Sequence, residues 1–380
     1  MSRDLSSQRV IFIDLLRFCA IFLMVHGHTV DVLLSQEFRR PDSIGFNTWL
    51  FFRGLTAPLF LFASGFIYGV RFRRTDSIEK FRKIKIKTIR RALLLIFIGY
   101  LMKSPSPTII DWEHVTYQML QLFYAIDILQ LIGASLLIFL GMEILARKFK
   151  YDATIFLIFI SIIFVLGKQL ATLLDWEEVF PIQISSWFSQ STGSLFPLFP
   201  WGAYLFLGGA VGIYFQRKGF LNDMIHLTQI QLKISLVFIL SAFLINFLEL
   251  KLFNFSTFWK TSPALFYARF GAVLIIGSLF SVLSLYIKRI PKFLYNASKN
   301  SLWIYVVHVM MLYGSSWNKG VKNFLGYSCN VGETILGVIT MWILMILFSE
   351  GLTYYNNKIY PAIKSKLKTF LFGELTWFAF

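Results

Sequence analysis

Charge is scarce in this sequence. Only 15% of its 380 residues are Asp, Glu, Lys or Arg, against about 25% in soluble globular domains. Hydrophobic residues make up 56% of the chain and 42 of them are Phe. One soluble core of this length cannot bury that much apolar surface, which leaves lipid as the solvent that accepts it. Cysteine is almost missing. Cys19 and Cys329 stand alone, which excludes a disulfide framework and any cysteine-based metal spacing, so no metal is expected. A cleavable signal peptide is also lacking: the first apolar run is too long, has no small-residue cleavage site, and carries Asp14 and Arg17. No gap between apolar runs can hold a soluble domain, and there is no convincing repeat or low-complexity linker. Residues 1–380 therefore read as a single transmembrane domain.

Ten apolar runs of near-spanning length are present, at 10–34, 46–70, 88–102, 115–142, 153–174, 195–215, 232–250, 264–287, 300–317 and 332–354. The third is short and extends back into the basic residues before it. The expected fold is all-α, a polytopic membrane helix bundle of about ten transmembrane helices. Net charge is +17, yet the basic residues sit in short loops between apolar runs. That pattern is membrane orientation, so nucleic acid is not an expected partner. Ten Lys and Arg lie in 71–91, the strongest topological signal, and none in 175–193. Placing 71–91 in the cytoplasm puts 26 basic residues there, 7 outside and 4 within spans, with both termini cytoplasmic. Residues 78–91 also read as a basic amphipathic helix on anionic headgroups.

A charge at membrane depth asks for a partner or a task. In the first run Asp14 and Arg17 are one turn apart. His28 follows Arg17 by eleven residues, about three turns and roughly 16 Å further along the same face. Asp31 continues it. This polar stripe should face the bundle interior; the plainer alternatives are a boundary ion pair for Asp14 and Arg17 and a hydrogen-bonding role for His28. His26 points elsewhere. Arg53 lies at the depth of His28, Asp127 and His308 near the midplane, and Arg269 near the external end of its run. Asp127 and His308 suit either function or an interhelical hydrogen bond. Pro, Gly and small residues in 53–66 and 194–209 allow broken helices and close packing around a cavity.

The pattern Arg9, Asp14, Arg17, His28, followed by LTAPLFLFASGF at 55–66, DILQLIG at 127–133, FPLFPWG at 196–202 and SLWIYVVH at 301–308, resembles the transmembrane acyltransferase superfamily. Within it, the chain is similar to bacterial proteins related to the catalytic region of heparan-α-glucosaminide N-acetyltransferase. The resemblance runs over about residues 9–320. It implies a helix bundle in the bacterial cytoplasmic membrane that carries an acyl group, usually acetyl, from cytoplasmic acetyl-CoA to a carbohydrate or glycan acceptor on the far side. It matches Arg17 and His28 to the family's first-helix arginine and polar active-site position. One departure is Phe18, where glycine commonly follows that arginine; its bulk is expected to narrow the groove beside the helix.

On this reading His28 is the general base, since neutral histidine titrates near working pH. Asp31 orients it, and Arg53 polarises the thioester carbonyl or holds acceptor oxygens. Arg17, Asp127 and His308 are the expected donor-binding residues. No Ser or Cys pairs with a histidine as a nucleophile, which favours direct transfer. A proton-coupled secondary transporter using Asp127 and His308 is the rival reading, without the inverted repeat such proteins show; a non-catalytic scaffold is the third. Membrane lipids surround the chain, and a homo-oligomer stays open.

Overall fold

A computed structural model describes residues 11–40, 42–73, 77–108, 112–253, 262–287 and 289–361. Arg9 of the sequence pattern, the first residues and the C-terminal tail lie outside it.

Helix α1 (Ile11–Leu33) is about 35 Å long, enough to cross a hydrocarbon core of about 30 Å. It packs on most of its circumference: Phe12, Leu16, Ala20, Ile21 and Val25 have no exposed surface. Its C-terminal carbonyls would be orphaned in an apolar setting. They are met by backbone N–H groups of Tyr327 and Cys329, which donate to Val32 and Leu33 at 2.9 and 3.0 Å. The Arg39 guanidinium donates to the carbonyls of Asp31 and Leu34.

The second apolar run is two helices, α2 (Ile44–Gly54) and α3 (Thr56–Arg73), broken at Leu55. The third run and the basic stretch before it form one continuous helix, α4 (Ile78–Met102). The segment 78–91, expected as a basic amphipathic helix, is thus the first half of this one helix. The fourth run is also broken, into α5 (Tyr117–Tyr124) and α6 (Ile128–Phe149). Backbone groups freed at membrane depth must be satisfied by protein. Here Ile126 N donates to Ser194 Oγ at 2.8 Å, and its carbonyl accepts from Leu195 and Phe196.

Then follow α7 (Ala153–Leu173), the single turns α8 (Trp176–Val179) and α9 (Ile182–Ser185), and α10 (Leu198–Lys218), with a kink at Phe199. Helices α11 (Met224–Phe253) and α12 (Pro263–Tyr286) form a hairpin. After them come α13 (Lys292–Lys299), α14 (Ser301–Tyr313), a two-residue hairpin, α15 (Lys322–Leu325) and α16 (Val331–Tyr354). Among the described residues, eight helical segments are long and apolar enough to cross a membrane; α14, with 13 residues, is shorter. With the basic α4 these account for the ten apolar runs of the sequence.

Two features set the interior. Helices α3 and α10 approach at their backbones through paired Gly-x-x-x-Gly stretches, Gly65/Gly69 and Gly208/Gly212, the small-residue contact that packing in lipid favours. The α13–α14 junction is tied to α16 by Asn300, whose Nδ2 donates to the Ser349 carbonyl and to Thr353 Oγ1 at 3.0 and 2.9 Å. The outer faces of α7 and α11 expose Leu166, Leu170, Leu236, Leu240, Phe243 and Phe247, the apolar surface a bilayer covers.

Candidate active site

Because α1 is amphipathic only through its polar stripe, that stripe needs a polar or hollow neighbour. It has one. Asp14, Arg17, His28 and Asp31 all line a cavity of about 2430 Å³ bounded by α1, α2, α3, α4, α6, α10, α12 and α14. From Asp14 to Asp31 the wall covers about 26 Å along α1, most of the thickness of a bilayer core. Binding pockets for drug-sized ligands are about 300–1,000 Å³, so the space admits two substrates at once.

One end of the cavity is cationic. Arg17, Arg71, Lys87, Arg91 and Lys299 line it, with Tyr68 and Tyr295 between them and Asp14 as the carboxylate. Arg71, Arg91 and Asp14 are close enough to act electrostatically on Arg17. Arg17 is held by a hydrogen bond from Nη2 to Ser301 Oγ at 3.1 Å, at the first turn of α14. Helix α4 brings Lys87 and Arg91 here because Thr88, Ala92 and Leu95 are buried, turning the neighbouring basic positions along the cavity edge.

Further along α1 the chemistry changes. His28 Nδ1 lies 3.0 Å from Tyr313 Oη. Asp31 forms an ion pair with Arg53, whose guanidinium also stands 5.4 Å over the Trp49 ring. Arg53 meets α1 beside His28, since its side chain packs over Gly27, as the matched depths of the two residues predict. Asp31 does not orient His28 directly. Its carboxylate is taken by Arg53, and the Tyr313 hydroxyl, within electrostatic range of Asp31, stands at the imidazole instead. Tyr313 carried no signal in the sequence: it lies at the end of an apolar run where aromatics usually form an interfacial belt.

The structure corrects the roles of other residues. Asp127 is not a charge within a helix. It caps α6, with Oδ1 accepting from Ile128 N at 2.8 Å, and its other oxygen lies 3.7 Å from Lys103 Nζ. It still faces the cavity. His308 is behind the wall rather than on it. It is fully buried, its Nδ1–H donates to the Ile304 carbonyl at 2.7 Å, and its ring lies 5.4 Å from that of His28. A donor-binding contact by His308 is thus replaced by packing behind His28. Phe18 does not narrow the cavity, because its ring turns to Trp342 of α16 at 5.8 Å. His26 stacks on Phe22, away from the site.

Arg269, noted in the sequence only for its depth, reaches the far end of the cavity, where its guanidinium stands 5.8 Å over the Trp201 ring. Among the described residues no group of three or more His, Cys, Asp or Glu side chains comes together to hold a metal ion.

A family model described as heparan-alpha-glucosaminide N-acetyltransferase, catalytic, matches residues 9–245. That range carries the cavity residues from Asp14 to Trp201, while the wall made by α12 and α14 lies beyond it. Among curated proteins none matches the chain.

Proposed function

The chain belongs to the heparan-alpha-glucosaminide N-acetyltransferase catalytic family, and from that premise we propose that it moves an acetyl group from cytoplasmic acetyl-CoA to a carbohydrate acceptor on the other side of the membrane. The observation that carries this reading is the single cavity joining the cationic end at Arg17 to His28. The phosphates of CoA suit five cations around one mouth, and positive-inside orientation puts that mouth in the cytoplasm. A donor anchored there extends its thioester toward His28, about 16 Å along α1 from Arg17.

The chemistry needs one proton moved twice. The acceptor hydroxyl or amine attacks the acetyl carbonyl and gives its proton to a neutral imidazole. The carbon–sulfur bond breaks, and the proton passes on to the CoA thiolate. In the tautomer that donates Nδ1–H to Tyr313 Oη, the Nε2 lone pair of His28 is the one that serves as base. Arg53, fixed by Asp31, keeps further N–H groups for the carbonyl oxygen or the acceptor. Arg17 anchors the donor, Asp127 shapes the wall, and His308 supports His28 from behind.

The experiment is transfer of label from acetyl-labelled acetyl-CoA by the purified protein with glucosamine as probe acceptor. His28→Ala should abolish it while leaving expression, folding and acetyl-CoA binding intact. Wild-type transfer by that variant would remove His28 from the chemistry, and no binding of acetyl-CoA to the wild type would remove the reaction.

A further inference from the structure

A second cavity, of about 800 Å³, lies beside the first at the end opposite the cationic mouth. It is enclosed by the last turns of α7, the segment 188–191, the start of α10 and the start of α12. Trp201 and Arg269 line both cavities, so this pair is the seam between them. Nothing in the transfer chemistry uses this space.

Its donors are unspent. Arg269 has no hydrogen bond or ion pair among the described residues; its guanidinium lies over Trp201. Gly54 makes room for it, since a Cβ there would stand 2.9 Å from Nη2. Lys168 has one long contact, 3.4 Å to Gln190 Oε1, which leaves most of its ammonium free and the Gln190 Nε2 group unpaired. Ser262 Oγ accepts from Ala264 N and keeps its own proton to give. Asp175 is the carboxylate on this wall, and its Oδ1 accepts from Glu177 N at 3.3 Å. Two cations on separate helices, neither in an ion pair among the described residues and with one carboxylate on the wall, are costly next to a bilayer. They ask for an anion.

We propose that this cavity binds a phosphoryl group carried by the acceptor, with Arg269 and Lys168 as its charge partners and Gln190 and Ser262 as neutral donors. A phosphoryl group brings close to two negative charges and three strong acceptor oxygens, which matches two cations and two neutral donors better than the single charge and two oxygens of a carboxylate. The Trp201 face, at the seam, supplies the apolar surface on which a sugar ring passes toward His28. Val165, Leu173, Leu174 and Leu265 give part of the wall an apolar surface, and the neighbouring Leu166 and Leu170 are exposed on the outer face of α7. The phosphoryl group can therefore come from a lipid-linked sugar or from a free sugar phosphate. The inference rests on the acyl-transfer reading for what the bound group is for, but not for its binding.

The test measures binding of three probes to the purified full chain in nanodiscs: glucose 1-phosphate, glucuronic acid, and a short-chain phosphatidic acid followed by native mass spectrometry. A phosphoryl probe should bind, and Arg269→Gln and Lys168→Ala should each weaken it about tenfold, the loss of one hydrogen bond to a charged group. Preference for phosphatidic acid identifies a lipid-linked acceptor; preference for glucose 1-phosphate identifies a soluble one. Wild-type affinity in both variants, no binding of either phosphoryl probe, or equal binding of glucuronic acid overturns the proposal. Acetyl-CoA affinity is measured on the same samples. Lys168→Ala should leave it unchanged, and a wild-type protein that binds the phosphoryl probe but not acetyl-CoA would sink the transfer reading alone.

Discussion

Replacing Gly65 with alanine tests whether the backbone contact between α3 and α10 holds the cavity wall. A methyl group there would stand 2.8 Å from Leu205 C and 2.9 Å from Gly209 N, and closer still to Leu205 O. These are backbone atoms of a packed helix, with no flexible side chain to yield. Restoring ordinary contact near 3.4 Å at Leu205 O moves the backbones apart locally by more than an ångström. A gap of about 0.5–1 Å forfeits a quarter to a half of each dispersion well it opens, and overpacking of this kind costs about 1–3 kcal/mol. The cavity feels it too, because α3 presents Phe60, Ser64, Ile67 and Tyr68 to it from the other side. The expected result is a melting temperature about 1–4 °C lower in detergent, with weaker acetyl-CoA binding. Gly141→Ala is the control. Nothing lies within 4 Å of a Cβ at that α6 position, so the substitution should be neutral or stabilising by about 0.5–1 kcal/mol. Wild-type melting of Gly65→Ala, or equal losses for the two variants, would refute the close-packing argument.

Other outcomes follow from the same geometry. Tyr313→Phe removes the oxygen facing His28 Nδ1 and should lower acetyl transfer about 10- to 100-fold, the effect of the roughly 1–3 kcal/mol that an unpaired buried N–H costs; turnover within twofold of wild type would show that Tyr313 does not set the imidazole. Arg17→Ala should raise the dissociation constant of acetyl-CoA about tenfold in calorimetry, and that affinity should fall as salt is added. Phe18→Gly, which acts on the contact with Trp342 rather than on the cavity, should lower thermal stability without sharpening acetyl-CoA affinity. Asp127→Ala removes the cap of α6 and should destabilise the fold by about 1 kcal/mol in a melt.

The sequence alone determined the bundle and the stripe. Apolar runs of spanning length leave a chain little choice but helices in lipid, because no other open backbone satisfies its own hydrogen bonds there. The 3.6-residue period then puts Asp14, Arg17, His28 and Asp31 on one face whatever the neighbours are. That face lines the main cavity. What the period cannot show is which side chains arrive from other helices. Tyr313 at His28, Ser301 at Arg17 and Arg269 at the seam of two cavities come from segments more than two hundred residues away. The break at Leu55 falls in the stretch 53–66 where Pro, Gly and small residues allowed one, but the break at 125–127 was invisible, since a helix interrupts in lipid only where another segment pairs its freed groups, as Ser194 does for Ile126. His308 shows the same limit from the other side. Its depth was legible, but only packing decided that its ring supports His28 from behind instead of meeting a ligand.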